Sequence, residues 1–235
     1  GAVGTPILVG DLPIGVAFSP DGTTAYVTNF LDDTVSVITV ATGAVGTPIT
    51  VGDDPSGVAF SPDGTTAYVT NQGDDTVSVI TVATGTVGAP IMVGNGPTRV
   101  AFSPDGTTAY VTNVFDNTVS VITVATGAVG TPIMVELNPS GVAFSPDGTT
   151  AYVTNRGHYT VSVITVATGA VGTPITVGNT PSGVAFSPDG TTAYVTNQGD
   201  DTVSVITVAT GTVGTPIPVG DGPFGVAFSP DGTTA

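Results

Sequence analysis

The side chains able to do chemistry are few in this chain. Two arginines, Arg99 and Arg156, and a single histidine, His158, are its only basic groups, and lysine and cysteine are absent. Without cysteine there is no disulfide framework, thiolate metal site or Cys nucleophile. Arg99 stands where five equivalent positions carry glycine (Gly15, Gly57, Gly141, Gly183 and Gly225). Glu136 also replaces a glycine, and Arg156, His158 and Tyr159 follow in the next loop. Brought together, these groups would suit an anion or a sugar. The competing reading is a solvated ion pair of Arg99 or Arg156 with Glu136, worth ~0–1 kcal/mol. Catalysis needs a convergent acid, base or metal set, and only His158, Glu136 and Arg99 offer one, so the expectation is a protein that is not an enzyme and holds no cofactor. The paired carboxylates Asp32-Asp33, Asp74-Asp75 and Asp200-Asp201 are oxygen donors for weak Ca²⁺ binding. They lack the spaced acidic loop of a dedicated site, so no metal centre is expected.

These residues stand in a chain that repeats itself. Phe18, Phe60, Phe102, Phe144, Phe186 and Phe228 are 42 residues apart, and Asp53–Gly94 differs from Asn179–Gly220 at only four positions. Such a period signals one supersecondary unit per repeat. In the second copy, four strand candidates are separated by turns: Gly57–Ser61, Thr66–Asn71, Thr76–Val82 and Pro90–Val93. Between the first two, Pro62 presets φ, Asp63 bonds nearby backbone and Gly64 accepts positive φ, which closes a tight hairpin. The equivalent aspartates (Asp21, Asp63, Asp105, Asp147, Asp189, Asp231) read as turn formers. No stretch has helical apolar spacing. The pattern predicts an all-β chain, a β-propeller of four-stranded antiparallel blades.

The 235 residues read as a single propeller with blades at 11–52, 53–94, 95–136, 137–178 and 179–220. Residues 1–10 would supply a closing strand and 221–235 a partial blade, joined as a clasp. The alternative is a trimmed longer array. Open blade edges would be templates for self-assembly with further chains.

The phrase AYVTN at Ala25–Asn29, Ala67–Asn71, Ala109–Asn113, Ala151–Asn155 and Ala193–Asn197, with SPDG ahead of it, resembles the YVTN β-propeller repeat. The resemblance covers essentially the whole chain. It implies a propeller, commonly seven-bladed, of the kind found in archaeal and bacterial cell-surface and surface-layer proteins. Related propellers include lactonases and cofactor-bearing oxidoreductases, which makes a lactonase-like enzyme the remote alternative. Fewer than six copies are present here, a departure from the seven-bladed pattern.

Copies differ in two loop classes, after the fourth strand and after YVTN, which should emerge on one rim. The aromatics outside the repeating Phe and Tyr registers, Phe30, Phe115, Tyr159 and Phe224, all fall in these loops. Recognition residues concentrate on such loops. A net charge of −16 with no lysine excludes nucleic-acid and anionic-membrane partners, and no apolar run suits membrane insertion. The expected function is a non-enzymatic extracellular scaffold or adhesion module at the cell surface, taking a protein or carbohydrate partner. A designed or recently amplified repeat without an evolved ligand is the alternative.

Overall fold

The computed structural model describes residues 4–235. It is all-β, with five antiparallel sheets following the repeat. The chain divides into two compact units, Gly1–Val100 and Ala101–Ala235. The first unit holds sheet 1 (Pro13–Phe18, Thr24–Asn29, Thr34–Thr39 and an outer strand) and sheet 2 (Pro55–Phe60, Thr66–Asn71, Thr76–Thr81 and its outer strand). The second holds the strands of sheet 3 from Thr108–Asn113 onward, with sheets 4 and 5, which begin at Pro139–Phe144 and Pro181–Phe186. Among the described residues no helix is long and apolar enough to cross a membrane.

The hairpins form as the turn chemistry requires. Ser61 Oγ donates to Asp63 Oδ1 at 2.6 Å, Thr65 N–H donates to the same oxygen at 3.0 Å, and Gly64 has φ 70°. The outer strand is one edge strand broken in two. In sheet 2, Thr86–Val87 and Ile91–Met92 both pair with Thr76–Thr81. The pairing shifts by one residue between Ile80↔Val87 and Val77↔Ile91. Pro90 lies in that break; it has no N–H to give the ladder, and edge positions with bulges tolerate this.

Sheets stack face to face through an aromatic pair that recurs. Phe60 of sheet 2 lies 4.6 Å, centroid to centroid, from Tyr26 of sheet 1. In the second unit Phe144 meets Tyr110 and Phe186 meets Tyr152 at 4.6 Å, and Phe228 meets Tyr194 at 4.7 Å. Around each pair valines, isoleucine and alanine close a core, such as Val35, Ala67, Val69 and Ile80. Burial of the phenols pushes the hydroxyls of Tyr26, Tyr68, Tyr110 and Tyr152 above their ordinary pKa. The Thr of each YVTN ties neighbouring sheets together. Thr28, Thr70, Thr112, Thr154 and Thr196 donate to the carbonyls of Ser56, Thr98, Ser140, Ser182 and Phe224 at 2.7–3.1 Å.

First strands approach one another too closely for a side chain. A Cβ on Gly57 would lie 2.6 Å from Thr98 O and 2.9 Å from Arg99 Cα. Glycine is therefore a packing requirement at Gly15, Gly57, Gly141 and Gly183, while sheet 3 carries Arg99 at this register; the Gly57 N–H donates to the YVTN threonine, Thr70 Oγ1, at 2.7 Å.

The terminal segments differ from expectation. Residues 1–3 lie outside the described residues, and residues 4–10 form no strand, nor do residues 221–235. The cause is missing pairing. Ile49-Thr50 is a strand because it pairs with Val35 and Thr34, and residues 1–235 hold no TVSVIT copy ahead of Ile7. Likewise Val226-Ala227-Phe228 has only Thr234-Ala235 of its second strand.

Candidate functional site

The two variable loop classes meet at one end of each sheet, joined through the main chain. Gln72 N–H donates to Asp54 O (3.0 Å) and Gly73 N–H to Asp53 O (3.1 Å). Arg156 N–H and Gly157 N–H donate likewise to Asn138 O and Leu137 O, both at 3.0 Å.

The paired aspartates hold these loops. Asp32, Asp74 and Asp200 each accept, through Oδ2, the N–H of Asp11, Asp53 and Asn179 at 2.7–2.8 Å. Asp33, Asp75 and Asp201 each accept, through Oδ1, the N–H of Asp54, Gly96 and Gly222 at 2.8–3.0 Å. The second residue of each pair has positive φ, 55–58°, which aspartate and asparagine adopt with least strain. All six calcium candidates thus serve as acceptors for loop N–H groups 21 residues away in sequence. Among the described residues no three His, Asp or Glu side chains converge as a metal cluster.

Sheet 4 breaks this scheme at every point. Where other copies have Gly followed by an Asp-Asp or Asp-Asn pair, it has Glu136, His158 and Tyr159. The changes are coupled by space. A Cβ at Gly52 would come within 2.5 Å of Asp74 Oδ2, and one at Gly178 within 2.8 Å of Asp200 Oδ2. The YVTN asparagine crowds the same Cβ, with Asn71 Nδ2 and Asn197 Cγ each at 2.6 Å. Sheet 4 keeps it as Asn155, so the missing carboxylate at 158 removes one of two obstacles to a side chain at 136. The carboxylate has crossed from one loop to the other: Glu136, the one glutamate of the chain, accepts a hydrogen bond from the Thr160 hydroxyl. Its Oε2 also lies 3.7 Å from His158 Nδ1, with the two side chains 32% and 54% exposed.

Tyr159 keeps the left-handed backbone of its register, φ 59°, with its ring exposed. A phenol in that place offers no carboxylate to the following loop; the Tyr159 N–H instead donates to Asn155 O at 3.0 Å. Residues held in sparsely populated backbone regions cluster at functional sites. Leu137, also exposed, adds an apolar group beside Gly157. Arg156 Nη2 donates to Gln198 Oε1 at 2.6 Å. The expected ion pair of Arg156 with Glu136 is therefore not the contact formed; Gln198, at the same register one repeat on, takes the guanidinium instead.

The other candidates disperse. Arg99 belongs to the first unit, where its Nη1 donates to Ser56 Oγ and Thr98 O, both at 3.0 Å. Phe115 is exposed and Phe30 half-buried. Phe224 presents its carbonyl to Thr196 and leaves its ring partly exposed. Sequence reasoning missed Thr160, Gln198 and Leu137. Thr160 belongs to a register that looks structural and Gln198 to a variable loop, and their roles appear only opposite Glu136 and Arg156.

Sequence comparison matches a family described as "Lactonase, 7-bladed beta-propeller" over residues 13–88 and 57–228. The overlap is natural for a repeat that aligns in more than one register. No protein of curated function matches the chain. Among solved structures, hydrazine synthase of Kuenenia stuttgartiensis is similar with a TM-score of 0.66 at 22% identity, over 99% of this chain and 94% of that one. A functionally unknown protein of Desulfotomaculum acetoxidans DSM 771 is similar with a TM-score of 0.80 at 20% identity, over 95% and 74%. At such identities the likeness concerns the fold. The five sheets are propeller blades, and the chain belongs to the seven-bladed β-propeller family of the lactonases.

Proposed function

We propose that the chain is a non-enzymatic binding module displayed at the cell surface, with its contact point at the loops of sheet 4. One observation carries the reading: Glu136, His158 and Tyr159 depart together from the loop residues of the other blades, and the departure leaves an exposed aromatic with left-handed backbone beside a carboxylate–imidazole pair. A flat aromatic ring flanked by planar polar groups suits the apolar face and hydroxyls of a sugar. The acidic, lysine-free composition and the likeness of the AYVTN segments to surface-layer repeats support an extracellular place. Glycan-array binding tests it: wild type should retain a saccharide class that Tyr159→Ala loses. Equal binding by both would sink the assignment.

The family match favours a second reading, lactone hydrolysis, for which Glu136 and His158 are the available acid–base pair. Hydrolysis of a panel of five- and six-membered lactones, abolished in Glu136→Gln, would support that reading over the first.

A further inference from the structure

The packing of one sheet on the next joins two unlike sides. In the first unit, sheet 1 brings a tyrosine side, Tyr26 with Ile49 and Val51, and sheet 2 answers with a phenylalanine side, Val58, Phe60 and Val82. Sheet 1 also has a phenylalanine side of its own, and that side lies uncovered. Phe18 is 61% exposed where Phe60, at the same register, is 9% exposed. Val16 and Val40, the counterparts of Val58 and Val82, are exposed with it.

In the second unit, sheet 5 has the opposite gap. Residues 221–235 lie on its tyrosine side without forming a strand. Phe228 meets Tyr194 at 4.7 Å, and Thr196 Oγ1 donates to Phe224 O at 3.0 Å. The rest of that side is open: Ile217 is 41% exposed where Ile133, at the same register, is 9% exposed, and Val219 is exposed beside it.

We propose that the phenylalanine side of sheet 1 docks the tyrosine side of sheet 5 in a second copy of this chain, displacing residues 221–235 there. The interface that recurs within the chain selects this occupant. Tyr26–Phe60, Tyr110–Phe144 and Tyr152–Phe186 all stack at 4.6 Å with interplanar angles of 49–52°. A second copy supplies the half that Phe18 lacks, as Tyr194, Ile217 and Val219 at the registers of Tyr26, Ile49 and Val51. The segment it displaces is a poorer partner. The Phe228 ring meets Tyr194 at 62°, and no second or third strand stands behind it. Charge restricts the encounter further. The chain carries −16, whereas the residues named on these two sides are uncharged, so copies repel elsewhere and can approach here. Because the two sides differ, the contact is head-to-tail, and association proceeds to rings or filaments.

Sedimentation velocity in roughly 0.5 M NaCl, which shortens the reach of charge repulsion, tests this. Across about 1–100 µM, the weak end for interfaces of ordinary size, the mass should climb from 22.9 kDa in multiples of that value. Phe18→Asp places a carboxylate on the docking side and should stay monomeric, with an unaltered urea unfolding curve. Phe228→Ser loosens the displaced segment and should tighten association about three- to tenfold; the double variant should again be monomeric. Phe115→Ser, at an exposed loop phenylalanine, should associate as wild type does. The proposal is overturned if wild type stays monomeric throughout, if folded Phe18→Asp associates equally, if Phe228→Ser fails to tighten association, or if Phe115→Ser abolishes it. Tyr159→Ala should associate as wild type does, so failure of the sugar reading and failure of this one are separable.

Discussion

Consider His158→Asp, which returns one half of the exchanged pair to the residue other blades carry. The new carboxylate would face Glu136 across roughly the gap His158 now spans, 3.7 Å from Nδ1 to Oε2. Two unit charges about 4 Å apart repel by ~4 kcal/mol at an effective dielectric near 20 and by ~1 kcal/mol in bulk water. With side chains 32% and 54% exposed at this site, the cost should lie near the lower figure, about 1–2 kcal/mol. Glu136→Gly alone removes the bond from Thr160 and should cost about 1 kcal/mol. The double variant recreates the Gly-and-Asp arrangement of sheet 2, in which the aspartate accepts the neighbouring loop N–H at 2.8 Å. It should return to within about 0.5 kcal/mol of wild type, giving a coupling energy of about 2–3 kcal/mol. Urea unfolding of the four proteins at pH 7.5 and low salt measures this. Additivity within about 0.5 kcal/mol would refute the claim that the two positions exchanged a carboxylate.

Other consequences can be checked in the same way. Phe60→Ala should cost about 3–4 kcal/mol in urea unfolding, because the ring is 9% exposed and stacked on Tyr26; Phe18→Ala, at 61% exposed, should cost under about 1 kcal/mol. Gly57→Ala should destabilise by about 1–3 kcal/mol, since its methyl would meet the backbone of Thr98 and Arg99. Hydrogen bonds from Ser, Thr and backbone N–H groups hold the turn aspartates below their ordinary pKa, Asp231 at about 2. A carboxyl depressed in the folded state contributes stability that is present above its unfolded pKa and lost as pH falls through the folded value. Tm should therefore fall between about pH 4 and pH 2, and Asp63→Asn should flatten that slope.

The strands and their turns were legible because their causes are local. Thr66–Asn71 forms as the alternation and flanking turns indicate, and Asp63 with Gly64 closes the hairpin. The break in the outer strand was also written locally, in Pro90, yet the edge reads as a single strand from Pro90 to Val93 until the pairing of Ile91 with Val77 and of Val87 with Ile80 is seen. The roles of the paired aspartates were hidden for a different reason. Their N–H partners lie 21 residues off, in loops of no fixed composition, so adjacent carboxylates suggested a cation instead of a cap. At sheet 4 the unusual residues were visible, but their partners were not. Arg156 had Glu136 as the obvious mate by charge, and Gln198 took it by position one repeat away.

The central claim is that the loops of sheet 4 are the contact point of this propeller. Reverting them to the repeat's own residues, with Glu136→Gly, His158→Asp and Tyr159→Asp together, tests it most directly, because that triplet already folds in sheet 2 as Gly52, Asp74 and Asp75. The affinity of this variant for the saccharide class retained by wild type, measured by isothermal titration calorimetry, should fall at least tenfold with Tm unchanged or raised. Undiminished affinity in a stably folded variant would contradict the account.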